Sequence, residues 1–178
     1  MNKISLSSLL IFALILTTLS ACGGGGGGGG GGGTAQTPQS TTAILTLATS
    51  GTGTTINGID VTVLLPAGVT VKSATAPPQT DSGVVLLTGG AAVGPITPQY
   101  AIGVYTPASG GNPGKVKIAV VNVNGFSTGP FCTLTCDIAP GTTPTPVAGD
   151  FSLANFNPVD ANGAKIIGLT PGFTLGIQ

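Results

Sequence analysis

The sequence predicts an all-β fold, a two-sheet jelly-roll sandwich of about nine strands. Three observations carry that expectation. From Thr41 onward, apolar and polar residues alternate in short runs, the period-two signature of a half-buried strand. Gly, Pro and Asn separate these runs at regular intervals, as turns require. Val, Ile and Thr dominate the runs, and their stiff β-branched side chains suit a pleated sheet. No window of about ten or more residues shows helical periodicity.

The first expected strand is Ala43 to Ala48. Ile59 to Leu65 follows, entered through Asn57-Gly58, with Ile59, Val61, Val63 and Leu65 on one face and Asp60 and Thr62 on the other. Pro66 and Gly68 break it, and Val69 to Lys72 resumes the alternation. Val84 to Thr88 is a short apolar strand between two glycine turns, and Tyr100 to Tyr105 alternates again. Lys115 to Val123 is the clearest pattern, with Val116, Ile118 and Val120 opposite Lys117 and Ala119. Asn124-Gly125 then reads as a hairpin turn. Phe131 to Ile138 comes next, followed by a Pro/Thr/Gly loop to Gly149. Asp150 to Phe156, Lys165 to Leu169 and Phe173 to Ile177 close the series.

The segment before this domain has a different logic. Lys3 precedes an apolar run, Leu9 to Leu16, and the small residues Ser20-Ala21 precede Cys22. That is the tripartite plan of a secretory signal peptide, too short and wrongly flanked for a spanning helix. Leu19-Ser20-Ala21-Cys22 resembles the lipobox of bacterial lipoproteins. The resemblance implies cleavage between Ala21 and Cys22, a diacylglycerol thioether on Cys22 and an acylated amino terminus. Two or three acyl chains, at about 0.8 kcal/mol per buried CH₂, hold a protein stably to a bilayer. Gly23, rather than Asp, follows the cysteine, which by analogy with enterobacterial lipoproteins favours the outer membrane, on its periplasmic face or at the cell surface. Glycines fill Gly23 to Gly33, and with Thr34 to Ser40 they form a low-complexity stretch with nothing to bury. A disordered tether of about 20–25 Å root-mean-square span is expected from that length. A phosphate-binding loop is excluded, because no strand precedes the glycines and no Lys-Ser/Thr pair closes them. The expected organisation is therefore signal peptide 1–21, lipidated Cys22 with its linker 22–40, and a β-sandwich domain 41–178.

Composition narrows the chemistry. The acids are Asp60, Asp81, Asp137, Asp150 and Asp160, and the bases Lys3, Lys72, Lys115, Lys117 and Lys165, for zero net charge. With no His, a Ser-His-Asp or Cys-His site cannot be built, nor a histidine metal site. With no Arg and few Lys, a groove that tracks phosphates is not expected, so nucleic acid is not a candidate partner. No catalytic residue, cofactor or metal site is expected.

Cys132 and Cys136 are an even pair in an oxidising compartment, which invites a disulfide. In Phe131 to Ile138, however, both fall in phase with Leu134 and Ile138. Four strand residues cover about 13 Å, whereas a disulfide needs Cα atoms about 4.4–6.8 Å apart. On a strand the two are free, buried thiols, and a disulfide requires the segment to bend into a loop. Asp150 and Asp160 are the acids nearest to a glycosidase-like pair, and Asp160-Ala161-Asn162-Gly163 has part of a calcium-loop pattern. An Asx turn is the favoured reading of that motif. Phe126, Phe131, Phe151, Phe156 and Phe173 are expected mostly in the core. Tyr100 and Tyr105, five apart, are expected on opposite faces, against a shared sugar-stacking platform.

A family resemblance rests on the order of several runs. Ile56-Asn57-Gly58-Ile59-Asp60-Val61-Thr62-Val63-Leu64-Leu65-Pro66-Ala67-Gly68-Val69-Thr70-Val71 resembles the early strands of cohesin-like domains. Gly114 to Val121 looks like the central strand of that fold, and Gly129 to Ile138 like the next. Asp150-Phe151-Ser152-Leu153 and Val159 to Ile166 resemble its closing strands around an Asp-x-Asn-Gly turn. The similarity spans most of residues 41–178. Cohesins are jelly-roll sandwiches related to family 3 carbohydrate-binding modules, and they bind dockerin modules through one sheet face. The resemblance implies a non-enzymatic role in protein–protein interaction or scaffolding. The alternatives are a carbohydrate-binding module with a polysaccharide ligand, or a structural subunit that assembles by edge-strand pairing. The sequence departs from scaffold cohesins in having a single module and few charges, so no dockerin-contacting residue is carried over.

Overall fold

The computed structural model describes residues 41–53, 55–74, 79–94 and 99–178. The expected signal peptide, Cys22 and the glycine linker lie outside them.

The described residues form nine strands: β1 Thr41–Ser50, β2 Ile56–Leu65, β3 Val69–Thr70, β4 Val85–Leu87, β5 Gln99–Thr106, β6 Gly114–Phe126, β7 Gly129–Ile138, β8 Ser152–Val159 and β9 Thr170–Ile177. They make two antiparallel sheets. Sheet A runs β3-β7-β1-β9, with β4 also paired to β7, and sheet B runs β5-β6-β2-β8. The all-β sandwich read from the alternation is the observed architecture.

The core follows from the same alternation. In sheet A, Ala43, Leu45 and Leu47 of β1 lie beside Cys136, Leu134 and Cys132 of β7, all fully buried. In sheet B, Ile59, Val61 and Val63 pair with Val120, Ile118 and Val116. The register of β1 on β7 slips after Leu47, where Cys132 gives way to Pro130 and leaves Phe131 as the extra residue of a β-bulge. Phe131 is buried out of phase with the strand and is the bulkiest fully buried side chain. Between the two sheet edges, Phe151 meets Phe173 edge-on, ring centres 6.3 Å apart at 69°. Phe126 is also buried, and Phe156 packs half-buried against the core.

Three local expectations change. Asn124-Gly125 is not a hairpin turn: β6 continues to Phe126, and the chain then crosses to sheet A as β7. The pair instead sits where the β2–β6 register slips between Ile56 and Gly58, and Gly125 supplies the positive φ of +72° that such an irregularity favours. Lys165 to Leu169 is not a strand. It makes a single bridge, Lys165 to Val159, and buries Ile166 and Leu169 as separate plugs. Asp150 belongs to a 3-10 turn, Ala148–Asp150, rather than to a strand, and β8 begins two residues later and runs on to Val159.

Candidate functional site

Sheet B has one face in the core, and its other face shows an unusual composition. The register places Tyr100, Val121, Gly58 and Val159 in one row across β5, β6, β2 and β8. The next row is Ile102, Ala119, Asp60 and Asn157. Val104, Lys117, Thr62 and Ala154 follow, then Thr106, Lys115, Leu64 and Ser152. Tyr100, Ile102, Val104 and Val123 are 42, 39, 40 and 45% exposed. Neighbouring strands lie about 4.8 Å apart, so these side chains form one continuous apolar stripe along β5 and the end of β6.

Gly58 shapes the middle of the first row. A Cβ there would meet Val159 Cγ2 at 3.0 Å. Its absence leaves a depression of about 370 Å³ lined by Asn57, Gly58, Val121, Val123 and Val159, with Asp160 and Gly163 at the rim. The Asp160 turn forms that rim: Asp160 Oδ1 accepts from the backbone N–H of Asn162 at 2.8 Å and of Ala164 at 2.9 Å. The motif is thus the Asx turn, and its carboxylate serves the backbone.

Asn122 fixes the upper end of the stripe. It is fully buried, the one amide among the described core residues. Its Nδ2 donates to the carbonyls of Ala91 and Val93 at 3.0 and 2.9 Å, and its Oδ1 accepts from Asn124 N at 2.9 Å. These bonds clamp the 3-10 turn Gly89–Ala92 over the end of the core. Asn57 Nδ2 likewise donates to Asn122 O and Val123 O, each at 3.3 Å, tying β2 to the irregular end of β6.

Two larger open depressions, about 590 and 500 Å³, flank the β5–β6 loop from Pro107 to Pro113. The titratable residue lining either of them is Lys115. Among the described residues no group of three or more His, Cys, Asp or Glu is placed to hold a metal.

Within residues 41–178, the cysteines, tyrosines and aspartates singled out in the sequence each have a definite place. Cys132 and Cys136 are buried free thiols on one face of β7. Burial pushes both thiols up to about 12, and the nearby Asp137 carboxylate adds to the shift at Cys136. Tyr105 is buried and Tyr100 exposed, on opposite faces of β5. Burial also raises the Tyr105 phenol, with Cys136 contributing. Asp150 Oδ2 accepts from Val147 N at 2.8 Å across its own 3-10 turn, while Asp160 closes the Asx turn. Each carboxylate is committed to local backbone.

Alternation alone missed the stripe. Its signal was nonetheless present: in Tyr100 to Tyr105 both phases are apolar, so one face had to leave apolar groups in solvent. In β6 the phases exchange character beyond Val120, the inward position becoming Asn122 and the outward ones Val121 and Val123.

No family model matches the chain, and neither a curated protein nor a solved structure matches it.

Proposed function

We propose that this chain is a lipid-anchored, non-enzymatic lipoprotein of the outer membrane, held to the bilayer through Cys22. It presents a cohesin-like sandwich to a protein partner outside the cytoplasm, and the outward face of sheet B is the interaction surface. The observation that carries the reading is the apolar stripe of Tyr100, Ile102, Val104 and Val123 beside the Gly58 depression. Contiguous exposed apolar surface rimmed by polar groups is characteristic of interaction sites. Here the rim is Asp60, Asn157 and Lys117. Tyr100 supplies the anchor type enriched at interface hot spots.

The test uses whole cells. Chemical crosslinking, pull-down and mass spectrometry are run on the native chain and on Ile102→Lys and Val123→Lys. A protein recovered at stoichiometric yield with the native chain and lost with both variants is the expected outcome. Equal recovery with the variants overturns the assignment to this face. Polysaccharide co-purifying without protein replaces the protein partner with a sugar. Cys22→Ala is expected to leave the membrane fraction, and continued sedimentation with membranes refutes the anchor.

A further inference from the structure

We infer that the chain forms a closed homodimer by antiparallel pairing of β9 with β9 of a second copy. The inference goes beyond the partner-binding reading and uses the opposite sheet. A sheet edge offers a row of unpaired N–H and C=O groups, and folded proteins normally blunt it. Three of the edges here are blunted. On β5, Thr80 N donates to Gly103 O at 2.9 Å and Gln79 bridges Val104. On β8, Asn155 breaks the strand with φ +53°, Pro158 removes a donor, and Ile166 N already donates to Pro158 O. Among the described residues, the strands outside β7 are β3 and β4, of two and three residues. Among the described residues nothing pairs with the outer edge of β9, an eight-residue strand without a charged side chain.

The ladder shows which groups of β9 are open. Thr42 and Gln178 exchange two backbone bonds of 2.8 Å. Alternation along an antiparallel pair therefore turns Thr170, Gly172, Thr174 and Gly176 toward β1. Pro171, Phe173, Leu175 and Ile177 turn their backbone groups outward. Pro171, with no N–H, sits at an outward position and costs the ladder nothing. The side chains of Phe173 and Leu175 lie half-buried at the sandwich edge, and Ile177 is exposed.

A two-fold axis at Leu175 pairs Leu175 with its own copy and Phe173 with Ile177 of the other chain. That register satisfies the outward N–H groups with about six inter-chain bonds and leaves Pro171 outside the overlap. It also covers the half-exposed Phe173, Leu175 and Ile177 with the same residues of the partner. The absence of charge on β9 removes the like-charge repulsion that would oppose self-pairing. With the other edges blunted, pairing stops at two copies, giving a closed isologous dimer rather than a filament. Sheet B remains free on each subunit, so the dimer presents two outward faces.

The test is disulfide trapping of the full chain in membranes, or in the soluble fraction if Cys22 does not anchor it. Leu175→Cys places two thiols on a hydrogen-bonded pair about 5.5 Å apart between Cα atoms, inside the disulfide range. Mild oxidation is expected to give a dimer band for Leu175→Cys and none for Thr135→Cys, which lies two strands inward on sheet A. A Leu175→Cys chain that stays monomeric while its new thiol labels fully with maleimide overturns the proposal, as does equal crosslinking of the Thr135→Cys chain. Ile177→Pro removes an outward donor without touching the β1 ladder. In sedimentation velocity it is expected to convert the dimer into folded monomer, with an unchanged β-sheet circular dichroism spectrum. A dimer that persists in a folded Ile177→Pro chain, or native species larger than two copies, overturns it. The sheet B variants Ile102→Lys and Val123→Lys leave the dimer intact, so failure here is separable from failure of the partner-binding reading.

Discussion

Cys132 and Cys136 are kept from solvent by the alternation that places Leu134 between them on β7. Their thiolates are disfavoured by burial, with both thiols pushed up to about 12. A raised folded value means that the neutral thiol is favoured by folding. That contribution is complete below the unfolded thiol range near pH 8.5 and is lost as pH rises toward 12. Denaturant unfolding measured from pH 8 to 11 should show stability falling by up to about 1.4 kcal/mol per pH unit for each thiol. A flat profile would refute the burial. At pH 8 both thiols should resist maleimide in the native state and react once the chain is unfolded. Cys132→Ser should cost about 1–3 kcal/mol, because it places a hydroxyl at a fully buried site among apolar neighbours. The position of these cysteines was legible in the sequence because it depends on strand phase alone. The burial of Phe131 was read as core by residue type, but the bulge that turns it inward was not visible, since a bulge is a property of two paired strands.

At the scale of elements, the departures from the sequence reading share a cause: a local signal took a different role in tertiary context. Asn124-Gly125 has the composition of a hairpin turn, yet β6 and β7 belong to different sheets and cannot form one. Its glycine serves the irregularity between β2 and β6, where an added Cβ would collide with Thr55 Cγ2. Gly125→Ala should therefore destabilise the domain by about 1–3 kcal/mol, through both the positive φ and that collision. Thermal or urea unfolding measures it, and a loss under about 0.5 kcal/mol would show the site to be pliant. Lys165 to Leu169 carries strand-forming residues, but Ile166 and Leu169 serve as separate plugs while Ile167 between them is left in solvent. The clamp at Asn122 is the polar counterpart. Asn122→Ala would remove the bonds from its amide to the carbonyls of Ala91 and Val93 and from the N–H of Asn124 to its oxygen, with an expected cost of about 2–4 kcal/mol in the same assay.

On the scale of the whole molecule, the two sheets have different exteriors. Sheet A turns Thr42, Thr46, Thr133, Thr135 and Thr174 outward together with Asp137, Ile44 and Leu86, a mainly polar surface in which threonine predominates. Sheet B turns out Tyr100, Ile102, Val104 and Val121. The polar exterior was legible from composition, since a chain with so few charges must be covered by Thr, Ser, Asn and Gly. The apolar face was not, because it emerges when β5 and the end of β6 are brought side by side. That asymmetry gives a prediction about the interaction itself. The charged groups at the face are Asp60, Lys115 and Lys117, with Asp160 at the rim of the Gly58 depression, and the chain as a whole is neutral. Electrostatic steering therefore has little to act on, and association is expected at about 10⁵–10⁶ M⁻¹s⁻¹, the range for partners that are not steered. Apolar burial does not weaken with ionic strength, whereas exposed charge pairs are screened beyond about 8–10 Å at physiological salt. Once the protein partner is captured, its affinity measured between about 20 and 500 mM NaCl should change by less than about threefold, with the residual change in the on-rate. A fall of tenfold or more would mean that Lys115 and Lys117, rather than the Tyr100 stripe, hold the partner.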